Sequence, residues 1–428
     1  MILALFEDQT YENFLPITYI RPVYECRTGM FTLLERTQHS LQASRLICFT
    51  RKYLAPTLRK RITLPVNEPN VIEDDLLLIN GTLILDQGTK QLIQKKITSN
   101  TLMMQNGRVA AAHLSQNTAQ GYADELCTPL TSQSIKKLSR NCKQVETSKL
   151  PLLTYPWELV NHNAELIKRD YTTEGKNETE GTIDSKATVY GKKTDVHVGK
   201  NSFIEAHVTL DARSGPIYVG NGTNVQSGSR ITGPAYIGDK VTIASGLLRE
   251  GCSIGPVCRI GGELEETIIQ GYTNKYHTGF IGHAYIGEWV NIGAATTNSD
   301  LKNTYGNIQV DIQGKNVDTA TTKVGCFIGD HAKTSIGTQI YTGKKIGIAS
   351  HVHGFVTKDV PSFTIWSESL GSKPAELYLK SAIETQKRVM ARRNVKQSKE
   401  DIELLTKLFE ITAPERKKSG VARKKFAF

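Results

Sequence analysis

From Val198 the chain returns every six residues to an aliphatic side chain, often followed by glycine. The series runs Val198, Ile204, Leu210, then Val219, Val225, Ile231, Ile237 and Ile243. After a five-residue slip it resumes at Ile254 and Ile260, reappears at Phe280, Ile286 and Ile292, and returns at Ile328, Thr334, Ile340, Ile346 and Val352. A six-residue period suits neither an α-helix nor ordinary hairpins, but it does suit a parallel β-helix, in which each hexad supplies one short face and its turn. The aliphatic points inward and stacks on its equivalent one coil away, and glycine and small polar residues fill the corners. Each hexad buries its apolar residue only against its neighbours, so the stack stands or falls as a unit. Two stretches, 262 to 279 and 299 to 323, leave the pattern and are expected to loop out of the stack, where binding groups usually sit.

The other segments of the 428-residue chain read differently. In residues 1–150, short apolar runs such as MILALF, RLICFT and DDLLLING alternate with helix-like segments, which predicts an α/β unit with a parallel sheet. Residues 151–186 read as a linker, an amphipathic helix (YPWELVNHNAELIKRDY) and then a polar stretch; 187–365 form the β-helix; 366–428 form a basic helical tail with SKED capping its second helix. The last residues, ERKKSGVARKKFAF, are expected to be poorly ordered.

The formal charge is +11, but residues 373–428 hold 15 Lys and Arg against 7 Asp and Glu, or +8, which leaves +3 for the rest. The excess is a property of the tail. Its charges alternate on helical spacing without interleaved aromatics, a solvated face rather than a nucleic-acid surface. Seven scattered cysteines, an odd number without a C-x-x-C pair, argue against a disulfide framework or a zinc site and predict reduced thiols in a cytoplasmic protein. Neither a secretion signal nor a membrane span is expected.

The stretch HTGFIGHAYIGEWVNIGAAT resembles the acetyltransferase domain of the bacterial bifunctional family that acetylates glucosamine 1-phosphate and then uridylylates it. The resemblance covers roughly residues 187 to 360. It implies a left-handed β-helix, a homotrimer and acetyl-CoA as cosubstrate, with His277 as catalytic base and Ala294 as the backbone donor near the cosubstrate. Glu263 and Asn291 match substrate-binding positions of the family, and Lys275 and Lys302 are candidates for the sugar phosphate. On chemistry alone a histidine suits the task, because a protonated sugar amine must lose a proton before it attacks a thioester, and imidazole accepts one near neutral pH. On the repeat alone, a histidine here would be structural or solvated. His283 is expected to be solvated, and the histidine spacings do not suit a zinc site. The family pattern is broken at Glu265, where the family has lysine, at Phe280, where it has tyrosine, and by G-A-A-T in place of G-A-G-T, which leaves the acceptor open.

The N-terminal segment resembles a shortened, variant branch of the sugar nucleotidyltransferases. Leu15-Pro16-Ile17-Thr18 and Arg21-Pro22 match the family's start, and Asn80-Gly81 matches a later strand end. The Gly-rich phosphate loop is replaced by FEDQTYENF, and Thr82 stands where an aspartate is expected. The resemblance makes Arg21, Arg27, Asn80 and Gly81 candidate phosphate or nucleotide contacts, with Asp86 or Asp8 for Mg2+ and a nucleoside triphosphate as substrate. Two alternatives stay open: a nucleotidyltransferase with the β-helix as an oligomerisation or regulatory module, and a non-catalytic trimer that binds a sugar nucleotide.

Overall fold

The structure is a computed structural model and describes residues 1–148, 150–174 and 179–424. Part of the polar linker (175–178) and the end of the basic tail (425–428) lie outside the described residues. The chain divides into two compact units, one of residues 1–26 and 31–155, the other of residues 27–30 and 156–428.

The first unit is α/β. Its six-stranded sheet runs Leu46–Cys48, Ile2–Phe6, Leu76–Asn80, Arg108–Leu114, Thr101–Gln105, Lys143–Glu146. The sheet is mixed rather than parallel, because Arg108–Leu114 runs antiparallel to both neighbours. The cause is local. Asn106 and Gly107 both have positive φ, 52° and 74°, the conformation an Asn-Gly hairpin turn requires. Ile2, Ala4 and Phe6 share the main core with Leu76, Leu78, Leu102 and Ala112.

The second unit contains the parallel β-solenoid followed by helices. One sheet stacks Val198, Val219, Ile237, Ile254, Ile269, Ile286, Ile328 and Ile346 in register, all fully buried. A second inward ladder climbs Ile183, Ile204, Val225, Ile243 and Ile260 and then places Lys275 opposite Ile260. A third climbs Val189, Leu210, Ile231, Leu248, Leu264 and Ile281. The aliphatics of the hexad pattern are therefore the core of the stack.

Residues 262–279 stay within the stack, contrary to the sequence expectation. Leu264, Ile269 and Lys275 each occupy a ladder position, so the hexad spacing fails there while the coil continues. Residues 299–323 do leave it, as an antiparallel hairpin of Gln309–Ile312 with Lys315–Asp318 closed by a bridge from Leu301 to Lys323. The expected single linker helix is two, Pro156–Asn161 and Asn163–Glu174, and both belong to the second unit. Asn163 is fully buried there: its Oδ1 accepts from Gly29 N–H and Ser253 Oγ, and its Nδ2 donates to the Gly251 carbonyl.

Leu379–Ala391 and Lys399–Ile411 follow the solenoid, the latter opened by a capping box between Ser398 and Asp401. A third helix, Ala413–Lys418, covers part of the segment expected to be poorly ordered. Its Arg416 explains the order. The side chain is buried over the Phe409 ring, with Nε 3.1 Å from Glu376 Oε2. All seven cysteines are buried free thiols. Among the described residues no helix is long and apolar enough to cross a membrane.

Candidate functional site

His277 sits at a corner of the solenoid, exposed, with its ring edge-on to Tyr276 at 5.7 Å. Backbone hydrogen bonds join this corner to those before and after it along the axis. Glu263 N–H donates to the Gly279 carbonyl at 3.1 Å, and Ala295 N–H donates to the Thr278 carbonyl at 2.9 Å. The chain is tight here: a Cβ on Gly279, which has φ of 122°, would lie 2.1 Å from the Thr296 carbonyl oxygen. His277 and Ala294 lie three residues beyond the paired Asn274 and Asn291 and thus at successive corners of one edge, and Gly337 N–H continues the series onto the Ala294 carbonyl at 2.8 Å. Glu263 lies just past the preceding corner, in the strand Arg259–Glu265 opposite Phe280.

The other candidates are placed elsewhere. Lys275, expected to face a sugar phosphate, points inward from its ladder position and is 1% exposed. Its Nζ donates to the carbonyls of Gly261 (2.8 Å) and His277 (2.9 Å), and burial pushes its pKa down to about 8, partly offset by Glu263. It holds the His277 corner from inside and does not reach a ligand. Asn291 lies on an outward face, where its Oδ1 accepts from Asn274 Nδ2 at 3.1 Å, and it lines a cavity beside the helix Leu379–Ala391. Lys302 is in the hairpin excursion, with its Nζ on the Asn307 carbonyl.

His283 is not solvated. It is buried, with φ of 48°, and its Nδ1 lies 2.7 Å from Asp300 Oδ2 while its Nε2 lies 3.9 Å from Glu266. Burial would push the Asp300 carboxyl up, but the His283 hydrogen bond and charge hold it below the ordinary range. Asp300 opens the excursion and its carbonyl accepts from Val324 N–H, so His283 clamps the base of that hairpin. Carboxylates crowd the edge near His277. Arg249 Nε is 2.6 Å from Glu263 and 3.6 Å from Glu265, and Lys323 is 3.1 Å from Glu265.

In the first unit, Asn80 is fully buried at the end of its strand. Its Nδ2 donates to Asp8 Oδ2 (2.8 Å), and its Oδ1 accepts from Thr82 N–H and Oγ1. Gly81 packs against Tyr24, whose Cδ1 lies 2.8 Å from where a Cβ would be. Arg108 donates from Nη2 to Thr82 Oγ1 (2.7 Å) and from Nε to Asp8 Oδ2 (2.8 Å). Asp8 Oδ1 accepts from Thr10 N–H and caps the 3-10 turn Gln9–Phe14, which stands in place of a glycine-rich loop. Beside it Glu7 and Arg51, both nearly inaccessible, form a two-pronged pair at 3.1 Å, with Arg51 over the Tyr11 ring at 4.1 Å.

Arg21 is 1% exposed, too enclosed to meet a ligand. Arg27 belongs to the second unit, where its N–H donates to Gln270 Oε1 and Tyr285 Oη and its guanidinium lies over Tyr236. It is not grouped with Arg21, because the chain crosses between the units at residue 27. Asp86 caps the helix Gln87–Lys96 by accepting from Thr89 N–H at 2.8 Å. These residues do not fit Mg2+: Asp8 is taken up by Arg108, Asn80 and Thr10, Asp86 is a helix cap, and among the described residues no cluster of three or more His, Cys, Asp or Glu could hold a metal.

Residues 3–178 match the family described as sugar nucleotidyl transferase. The nucleotidyl transferase match runs past Tyr155 through the two helices that the structure assigns to the second unit. A bifunctional sugar-1-phosphate nucleotidylyltransferase/acetyltransferase of Sulfurisphaera tokodaii is 32% identical over 100 residues, covering 23% of this chain and 25% of the relative. Bifunctional protein GlmU of Rippkaea orientalis is 33% identical over 101 residues (19% and 22%), and that of Synechococcus elongatus 27% over 187 residues (39% and 37%). The chain thus matches between 22% and 37% of these relatives' length. A solved UDP-N-acetylglucosamine acyltransferase of Francisella novicida superposes with a TM-score of 0.35 at 14% identity, covering 55% of this chain and 79% of that one.

Three features of these sites escaped the sequence. The Arg108 guanidinium contacts Thr82 from 26 positions along the chain, with no local signal. The His283–Asp300 clamp could have been suspected from an aspartate at the start of the excursion. Lys275 carried no signal in the period, since six-residue steps forward from Ile260 give 266, 272 and 278 and a step back from Phe280 gives 274.

Proposed function

We propose that the second unit transfers the acetyl group of acetyl-CoA to the amine of an amino-sugar 1-phosphate, with glucosamine 1-phosphate the first acceptor to test. The observation that supports this reading is that His277, exposed, and Ala294 stand at successive corners of one edge, with Glu263 on the strand of the preceding coil, opposite Phe280. His277, exposed, takes a proton from the sugar ammonium, and the freed amine attacks the thioester carbonyl. A C–N bond forms, the oxyanion is met by the Ala294 N–H, and the C–S bond breaks as the proton passes to the departing thiolate. Glu263, paired with Arg249, orients the acceptor. The name of the Sulfurisphaera tokodaii relative supports the same pair of chemistries. The first unit then joins the sugar phosphate to a nucleotide from UTP or dTTP, releasing pyrophosphate. A cytoplasmic homotrimer, with acetyl-CoA between neighbouring solenoids, completes the proposal.

One observation favours a second reading. Arg249 and Lys323 are already paired with Glu263 and Glu265, so a sugar phosphate at this edge would meet carboxylates. Under that reading the solenoid is an assembly scaffold for a nucleotidyltransferase. CoA release from acetyl-CoA and glucosamine 1-phosphate, assayed for the wild type and His277→Ala, separates the two. Turnover that falls at least a hundredfold in the variant is expected. Turnover unchanged in the variant, or absent in the wild type across a panel of amino-sugar phosphates, would sink the acetyl-transfer reading.

A further inference from the structure

A cavity of about 280 Å³ lies within the second unit, between an outward face of the solenoid and the end of the helix Leu379–Ala391. The solenoid side is a ladder of polar side chains. Arg259, Asn274, Asn291, Lys333 and His351 stand opposite one another on successive coils, while their chain neighbours Ile260, Lys275, Ile292, Thr334 and Val352 occupy the inward side. Tyr272 and Trp289 flank this ladder with rings stacked at 4.3 Å and 17°, and His331 continues the stack at 6.3 Å from Trp289. Across the cavity stand Arg392 and Arg393.

The cavity collects cations. Lys333 lines it, with Nζ donating to the carbonyls of Trp289 (3.1 Å) and His331 (2.9 Å) and a third N–H to spare. Burial pushes Lys333 down to about 7. Burial also lowers Arg393, helped by the charges of Arg259 and Arg392. The Arg393 Nε is shut off from solvent and has no hydrogen-bond partner. Like charges held together are costly, and an oxyanion in the cavity would relieve that cost through the accessible guanidinium edges. Glu288 is close enough to act, after burial, on the Tyr272 phenol, but it does not line the cavity.

We propose that this cavity binds a nucleotide-type ligand, a phosphate or diphosphate on a heterocyclic ring. The oxyanion sits among Lys333, Arg392 and Arg393, the ring lies along Tyr272 and Trp289, and the Asn274 and Asn291 amides supply the remaining donor and acceptor. The volume is at the lower end for ligand pockets, enough for one phosphorylated portion of a larger molecule. His277 does not line the cavity, and the proposal does not depend on acetyl transfer.

The test is calorimetric titration of the full chain with UDP, coenzyme A and dephospho-coenzyme A, each separately, at low salt. The variants are Arg392→Ala/Arg393→Ala, Asn291→Asp and His277→Ala, with circular dichroism to confirm folding. At least one probe should bind the wild type and His277→Ala alike and bind the double variant at least tenfold more weakly. Asn291→Asp, which places a carboxylate against the anion without removing packing, should weaken binding in the same direction. UDP binding would identify a nucleoside diphosphate as the ligand; coenzyme A binding that fails for dephospho-coenzyme A would identify the phosphorylated adenosine end. If none of the probes binds, or if folded variants bind as the wild type does, the proposal is overturned. Because His277→Ala should bind normally while losing turnover, failure of this site and failure of acetyl transfer are separately visible.

Discussion

Replacing Lys275 by methionine tests whether an ammonium inside the solenoid holds the His277 corner. The gap between an ordinary lysine at 10.5 and about 8 for Lys275, at about 1.4 kcal/mol per pH unit, means that keeping the proton in the fold costs about 3 kcal/mol at neutral pH. Between pH 8 and 10.5 the unfolded chain still holds a proton that the folded chain has shed, so this group makes stability rise with pH through that window and contributes no slope below it. Methionine fills the same inward position without the charge but leaves the Gly261 and His277 carbonyls without their donor, at about 1 to 3 kcal/mol each. At pH 7 the relief and the loss largely cancel, and the variant should be less stable by at most about 3 kcal/mol. At pH 10.5 the relief has gone, and the deficit should be larger by about 3 kcal/mol. Urea unfolding of both proteins at pH 7, 9 and 10.5 measures the difference, in which other titrating groups cancel. A deficit that stays constant with pH would mean that Lys275 is not a buried, perturbed amine, and the account of the corner would fail. Acetyl turnover, if present, should drop in the variant even at pH 7, because the His277 carbonyl has lost its anchor.

Glu7→Gln should destabilise the first unit by about 3 to 5 kcal/mol, because it strands the Arg51 guanidinium in a site 3% exposed; urea unfolding followed by circular dichroism would check this, and a loss below 1 kcal/mol would contradict it. Asp86→Ala should cost about 1 kcal/mol as a lost helix cap and leave any dependence of nucleotidyl transfer on Mg2+ unchanged. A shifted Mg2+ requirement in that variant would restore Asp86 as a metal ligand.

The six-residue period was readable because each ladder position demands an aliphatic side chain, and the run from Val198 to Ile243 sits in the stack as the spacing predicts. The period failed where the coil did not. Ile269 keeps its place between Ile254 and Ile286, but it follows Ile254 by fifteen residues and precedes Ile286 by seventeen, neither a multiple of six. At Lys275 the core position is filled by a side chain that pattern reading counts as surface, since its burial depends on two carbonyls that only the folded coil brings within reach. The mixed sheet of the first unit was written in Asn106-Gly107, a turn signal that the alternation of apolar runs obscured. His283 looked solvated because it stands at a corner, where the hexad pattern says nothing of a carboxylate seventeen residues away.

Charge balance bears on how the work divides between the units. A nucleoside triphosphate brings several negative charges that fixed cations must meet where it binds. Around Asp8 in the first unit the arginines are already engaged or out of reach: Arg51 is neutralised by Glu7, Arg108 by Asp8, and Arg21 is enclosed. The turn Gln9–Phe14 is pinned by Asp8 rather than open around a phosphate. In the second unit the cavity beside Arg392 and Arg393 has the reverse balance, with like charges pressed together and a buried N–H lacking an acceptor. An anionic ligand would therefore relieve repulsion in the second unit, whereas in the first it would have to break existing pairs. On this balance an anionic ligand is better met in the cavity beside Arg392 and Arg393 than around the Asp8–Arg108 pair.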